Sequence, residues 1–460
     1  MNIALIAIAI VFTLVATIRP FKVFGLKINM ATGAIISLAF LFLTKAISAS
    51  TIIDGIIGNG AVEPWEILII FFAVAYVSIS TDATGIFDFF AYKIVEKSSG
   101  NGIKLFLFLF LFVGALTIIT SNDIVILTLT PIIFYLGKHA KINVVPLLFL
   151  QFFTANALAN FLYTSDPTNI IVGNALGIGF WEFTHVMWLP TVAGAIATFS
   201  VLLLMFRKTI TRKFKLNRTS HYNVRNWTDA VLSFSLLITM LVVLVFSDVL
   251  QIPIWVIALV FAIMFICKDA LFWFFYSFKE HQLSVVQIQK GIDVHKIPKG
   301  RSDFLVAFAK VPWQILPFVA LFFILMQALN DAGVVAIAAG WLSEVCTGVW
   351  SSVFATGVLG VILANIVNNQ PMTIFLSHVL ADSAFTVSGK EYTGAMFGLV
   401  VTGNLGSNLT IVGALAGLMW RQILKTKGLE ISYWDFAKKG FVLVPVVLII
   451  TLTALVFVIK

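Results

Sequence analysis

Three consecutive polar residues, Ser121, Asn122 and Asp123, sit inside the apolar run TSNDIVILTLTPIIF at residues 120–134. An aspartate at the centre of a membrane helix costs about 2.5–3.5 kcal/mol, so it persists with a partner or a job. Three other segments carry similar side chains. They hold Ser165, Asp166, Thr168 and Asn169 in TSDPTN, Asn368, Asn369 and Gln370 in VNNQP, and Asn404, Ser407, Asn408 and Thr410 in GNLGSNLT. Hydroxyls and amides can bind a hydroxylated solute, and Asp123 with Asp166 forms a titratable pair suited to H⁺ or Na⁺. A structural hydrogen bond to a facing tip is the plainer reading of both carboxylates.

These residues must be positioned by helices in a membrane. The chain is 60% hydrophobic and only 11% charged over 460 residues, against about 25% charged in a soluble domain. The net charge of +9 gathers in loops, which excludes a nucleic-acid binder and places those loops in the cytoplasm. No G-x-x-x-x-G-K-S/T loop and no H-E-x-x-H occurs, so the sequence has no recognisable route to ATP hydrolysis. The reading is a transporter and not an enzyme, with no cofactor and no bound metal. Cys267 and Cys346 cannot build a disulfide framework or a metal cluster. The N-terminal apolar stretch lacks a basic leader and reads as an uncleaved span.

Basic segments at 19–27, 93–104, 138–141, 207–225, 268–301 and 421–439 read as cytoplasmic, and 46–64 and 331–389, without Lys or Arg, as external up to Gly389. Simple spans then fall near 1–18, 28–45, 65–81, 185–206, 229–247, 252–267, 313–330 and 440–459. Residues 105–137 are too few for two crossings, since arms of about 16 residues rise only about 24 Å each. A re-entrant hairpin with its tip at Ser121-Asn122-Asp123 fits better. Residues 142–178 form a crossing broken at TSDPTN, where Pro167 cannot continue a helix but can open one.

The plan recurs about 250 residues later, as repeat architectures do. EPWEIL at 63–68 matches VPWQIL at 311–316, Asp82 matches Asp331, SND matches VNN at 367–369, and FWEF at 180–183 matches YWDF at 433–436. Charge puts Pro64 outside and Pro312 inside, so the repeat inverts. The expected fold is an all-α polytopic membrane protein of two inverted repeats, each with a re-entrant hairpin and a broken helix, about 10 spans plus two hairpins. The divisions are 1–59 for N-terminal spans, 60–206 for the first repeat, 207–301 for basic cytoplasmic loops with a helix pair, and 302–460 for the second repeat. That repeat holds a hairpin at 349–381 and a broken helix at 391–421. Four breaks then meet near the midplane, where unwound backbone is tolerated around a cavity. Ser165-Asp166-Pro167 and Asn369-Gln370-Pro371 also read as helix caps, and a capped end can serve as a site. His378 reads as a packed polar residue, and Asp82, Asp88, Glu96, Lys97 and Asp331 as solvated faces.

SNDIVILTLTPII, VPWQILPF, NIVNNQPMTIF and SNLTIVGALAGLMWRQILKTKGLEISYWDFAKKG resemble the arsenite and antimonite efflux permease branch of the ion transporter superfamily, which also holds sodium/proton antiporters and citrate or dicarboxylate carriers. The resemblance covers nearly the whole chain. It implies proton-coupled efflux of arsenite or antimonite across the plasma membrane by an elevator-like movement. It also implies a homodimer in lipid, and a soluble ATPase that docks on some members. The permeases carry an Asp and a Lys in the second break, where this chain has Asn404 and Asn408. Sodium/proton exchange, citrate or dicarboxylate transport and a passive channel remain alternatives. The regions 105–137, 142–206 and 311–389 contain no Lys or Arg, which favours an uncharged trihydroxide over a carboxylate.

Overall fold

The computed structural model describes residues 3–460 apart from 24, 59–62, 99, 141, 212, 215–223, 225, 290–307, 310 and 312. Most of the basic segment 207–225, the end of 268–301, Pro312 and the Asp88 side chain lie outside the described residues. Among the described residues the protein is helical apart from one antiparallel ribbon, β1 (Phe21–Val23) with β2 (Leu26–Ile28).

The first apolar stretch folds as α1 (Ile3–Ile18), α2 (Met30–Leu43) and α3 (Ala49–Ile57). Asn29 opens α2 by accepting from the Ala31 and Thr32 amides, while the Thr32 hydroxyl accepts from the Asn29 amide at 2.8 Å. Helix α3 occupies the segment read as an external loop. Ser48 caps it, and Gly55 lets it press on the next half of the molecule, since a Cβ there would stand 2.6 Å from the Ile324 backbone.

Two series of seven helices follow among the described residues, each ending on a helix of 27 residues. The first is α4 (Pro64–Ala83), α5 (Ile86–Lys97), α6 (Gly102–Ile119), α7 (Asn122–Ala140), α8 (Val145–Leu158), α9 (Pro167–Ala175) and α10 (Phe180–Phe206). Next come α11 (Trp227–Val245), α12 (Ser247–Leu250) and α13 (Ile254–Gln289). The second is α14 (Ile315–Asp331), α15 (Val334–Val345), α16 (Val349–Val367), α17 (Asn369–Ala381), α18 (Gly389–Asn404), α19 (Leu415–Thr426) and α20 (Tyr433–Ile459). By length and composition, seven helices among the described residues can cross a membrane, and α14 with α15, bent by 79°, makes up to eight. Exposed Trp181, Trp227, Trp350 and Trp434 stand at the starts of four of these helices, the pattern of side chains at a lipid–water boundary.

The interior is set by helices that carry amides and hydroxyls among apolar residues, which lipid cannot satisfy and neighbouring helices can. Residues 146–157 of α8, nearly all of α9 and residues 394–404 of α18 are buried. The pairings cross the two series: α9 packs on α17 and α18, α7 on α19, and α10 on α20. Broken segments of one series are thereby wedged between segments of the other.

One basic position differs from its sequence assignment. Lys268, read as the start of a cytoplasmic loop, lies inside α13 with only 7% of its surface exposed. Its Nζ donates to Asp229 Oδ1 at 2.7 Å, Asp269 Oδ1 at 2.6 Å and Ser233 Oγ at 2.8 Å. Asp269 Oδ2 in turn accepts from the Tyr76 hydroxyl at 2.8 Å and the Ser80 hydroxyl at 2.7 Å. A buried lysine is tolerable when its protons are all used, and this network ties α4, α11 and α13 together.

Candidate functional site

At the first tip the chain leaves α6 through Thr120 and Ser121 and re-enters a helix at Asn122. The Asn122 amide N–H donates to the Ser165 carbonyl at 3.1 Å, which pins the tip to the break between α8 and α9. The Asn122 side chain donates to Asn156 Oδ1 at 3.2 Å and, through a short bond, to Asp166 Oδ2. Asp166 is the N-cap of α9 with Pro167 at the first helical position. Its Oδ1 accepts from the Thr168 amide at 2.7 Å and the Thr168 hydroxyl at 2.6 Å. The two aspartates thus differ in kind. Asp166 is saturated, whereas the half-buried Asp123 carboxylate accepts no hydrogen bond among the described residues, and only the Asp123 backbone N–H is engaged, with Asn122 Oδ1. Ser121 serves locally, its hydroxyl accepting from the Ile124 amide at 3.4 Å, and the Ser165 hydroxyl donates to the Ile118 carbonyl at 3.2 Å.

At the second tip the cap is Asn368, one residue earlier than the sequence pattern indicates. Its backbone has φ 80° and ψ 156°, a region that costs a side-chain-bearing residue about 1–3 kcal/mol and persists where its surroundings enforce it. The enforcement is visible. Asn368 Nδ2 donates to the Val412 carbonyl at 2.9 Å, and the Asn369 amide donates to the Gly413 carbonyl at 2.8 Å. Asn365, inside α16, donates to the Gly406 carbonyl at 2.9 Å and accepts from the amide and hydroxyl of Thr410, each at 2.9 Å. Thr410 therefore ties the second break to the second hairpin.

The two breaks meet at Asn404. Its Nδ2 donates to Asn169 Oδ1 at 2.7 Å and Asn160 Oδ1 at 3.1 Å, both in the other series, and to its own helix at Val400. Asn169 spends its own amide protons on the Ala159 and Leu162 carbonyls, at 2.7 Å and 3.0 Å. Beside Asn404, Gly403 leaves room for Thr168 and Thr373: a Cβ there would stand 2.9 Å and 3.4 Å from their hydroxyl oxygens. Thr168, bonded to Asp166 on one side and facing Gly403 on the other, joins the first cluster to the second.

A one-sided polarity results at this junction. Among the described residues, Asn369 Oδ1, Gln370 Oε1, Thr373 Oγ1, Asn404 Oδ1 and Asn408 Oδ1 are buried without a hydrogen-bond partner. The amide protons beside them are committed elsewhere, Asn369 to the Gly403 carbonyl at 3.2 Å and Asn408 to the Asn404 carbonyl at 2.5 Å. Ser407 likewise donates to the Gly403 carbonyl at 3.0 Å. A buried polar atom left unpaired costs about 1–3 kcal/mol, so these five are candidates for contact with a polar ligand.

Four contributors were not picked out from the sequence: Asn156, Asn160, Asn365 and Thr373. The first two had a signal, because NALAN at 156–160 spaces two amides four residues apart at the C-terminal end of α8. His378 stands apart, its Nδ1 2.9 Å from the Ile374 carbonyl in its own helix. A second polar contact links helices outside the junction, where Asn174 at the end of α9 donates to Glu66 Oε2 of α4 at 2.9 Å.

A family model described as citrate transporter (CitMHS) matches residues 5–390. The chain belongs to this family. Its similarity to individual members runs end to end. It is 27% identical to an arsenical pump membrane protein of Escherichia coli over 457 residues, covering 97% of this chain and 96% of that relative. It is 25% identical to an arsenical pump membrane protein of Yersinia enterocolitica, covering 89% of this chain and 91% of the relative. A 46 kDa membrane protein of Mycobacterium leprae is 24% identical, with 82% of each chain covered. This CitMHS protein is a membrane transporter, a multi-pass protein of the plasma membrane.

Proposed function

We propose that the protein exports arsenite and antimonite across the plasma membrane in exchange for protons, by an elevator-like movement of the hairpins and broken helices against the flanking spans. The observation that carries this reading is the set of five polar atoms without a partner among the described residues of the second tip and second break, four amide oxygens and the Thr373 hydroxyl. Arsenite at neutral pH is an uncharged trihydroxide, so it offers O–H donors to a surface of free oxygens. A citrate or dicarboxylate would bring carboxylate oxygens to the same oxygens, with no Lys or Arg in 311–389 to receive them. The relatives named arsenical pumps point the same way. Substrate contacts are assigned to Asn169, Asn369, Gln370, Thr373, Asn404 and Asn408, and the coupling proton to Asp123, whose carboxylate lacks the bonds that hold Asp166.

Two inverted repeats with a shared midplane account for the matched order of elements and for the crossed packing. In this arrangement 207–225 is cytoplasmic and 331–348 external. Cysteines placed singly at Ser220 and Thr347, in a chain without Cys267 and Cys346, should label from opposite sides. Equal labelling from outside would overturn the orientation.

Sodium/proton exchange is the second reading, because neutral oxygens also suit a small cation. One comparison separates them. Cells without their own arsenite and sodium exporters, given this protein, should grow under arsenite, and their everted vesicles should accumulate arsenite when acidified inside. Uphill accumulation excludes a channel. Rescue from sodium alone would transfer the assignment to the antiporter reading.

A further inference from the structure

A cleft away from the junction has the form of a lipid site. Helix α5 presents Phe87, Phe90, Lys93 and Lys97 at three- and four-residue spacing, so they share one face. Opposite them lies the deep half of α6, from Phe112 to Ile119, and Phe234 of α11 closes the third side. The cleft between these helices holds about 320 Å³ and its walls are almost wholly apolar. Ring contacts fix its frame: Phe90 meets Phe234 at 6.1 Å and Phe89 meets Trp227 at 5.0 Å.

The two lysines give the cleft a polar mouth. Lys93 Nζ pairs with Glu96 Oε2 at 2.9 Å, with both side chains more than half exposed, and such surface pairs exchange partners readily. Lys97 Nζ stands 6.0 Å from the Phe108 ring. An apolar slot topped by two ammonium groups complements a molecule with a hydrocarbon chain and a phosphate head. The basic segment 93–104 also falls on the side of the membrane that the charge pattern assigns to the cytoplasm, where anionic lipids concentrate.

We infer that this cleft binds one anionic phospholipid, its phosphate between Lys93 and Lys97 and an acyl chain along Phe87, Phe112 and Ile119. The seat matters because Ile119 directly precedes the Thr120–Asp123 tip, so the acyl chain would lie against the root of the first hairpin.

The test is lipid retention. The full-length protein, purified in mild detergent after equilibration with equal phosphatidylglycerol and phosphatidylcholine, is assayed for bound phospholipid by mass spectrometry. Phosphatidylglycerol should be retained in excess, and Lys93→Gln with Lys97→Gln should lower its retention by about fivefold per lysine, leaving phosphatidylcholine unchanged. Ala115→Trp, which fills the slot, should lower both; the lysine variants lie on an exposed face and keep the test open if that variant folds poorly. Equal retention of the two lipids by the wild type, or undiminished phosphatidylglycerol in the double variant, would overturn the inference. Displacement of the lipid by millimolar inorganic phosphate would also overturn it, in favour of an ion site.

Discussion

Asn404 Nδ2 stands 2.7 Å from Asn169 Oδ1, a bond that joins the two broken segments across 235 residues of sequence. No other donor reaches Asn169 Oδ1 among the described residues. Asn404→Ala should therefore strand the side-chain oxygens of Asn169 and Asn160 together, each at about 1–3 kcal/mol. Thermal unfolding in detergent should show a loss of several degrees together with loss of transport. An unchanged melting temperature would mean that the two breaks are held by packing alone.

Asp123 and Asp166 should respond differently to the same change. Asp123→Asn keeps the volume and removes the only carboxylate of the pair that no hydrogen bond occupies. Proteoliposomes of this variant should bind substrate but fail to move it uphill when a pH gradient is imposed. Unchanged dependence on the gradient would demote Asp123 to a packing residue.

Asp166→Asn places an N–H₂ against donors from Asn122 or Thr168, so its effect should be mainly on folding. Asparagine caps as well as aspartate, so Oδ1 can still accept from Thr168 and the bond from Asn122 is the one lost, a cost of about 1–3 kcal/mol in the melting curve. Gradient dependence of whatever transport remains should match the wild type. A shifted pH profile with normal stability would reverse the roles of the two carboxylates.

Asn368 gives a backbone test. Glycine adopts φ 80°, ψ 156° freely, while valine does not. Asn368→Gly should lose the bond to Val412 yet keep the hairpin, whereas Asn368→Val should lose expression or melt far lower. Equal stability of the two variants would show that the tip relaxes to another conformation.

Lys268 predicts a large effect far from the junction. Lys268→Ala leaves Asp229 and Asp269 as uncompensated buried charges, a loss of about 3–5 kcal/mol. Combining it with Asp229→Ala and Asp269→Asn should recover part of that loss. Melting curves of the single and triple variants decide it, and additive losses would rule out a coupled network.

The legible part of this molecule was whatever breaks an apolar run. Ser121-Asn122-Asp123, Asp166-Pro167 and Asn368 announce helix ends, because a polar cap or a proline has few other uses in such a setting. Partners far apart in sequence were not legible. Lys268 looked like any loop lysine, since Asp229 and Tyr76 come from other helices and nothing local marks them as neighbours. Thr373 and Asn365 sit inside helices one turn from a tip, where a lone hydroxyl or amide is indistinguishable from one bonded to its own backbone. The long α13 was misjudged for a simpler reason: a helix can run on past paired charges without ending.

The Asn174–Glu66 hydrogen bond has a kinetic meaning. If α9 travels with the broken segments and α4 stays with the frame, this bond must open on every stroke and re-form on return. Its strength would then bias the equilibrium between the two positions of α9 as well as the barrier between them. Glu66→Ala, which removes the acceptor, should therefore change maximal turnover and, through the altered population of the two positions, apparent affinity as well. A variant with normal turnover and normal half-saturation would mean that α4 and α9 move as one piece, and the sliding surface would have to be sought elsewhere in the protein.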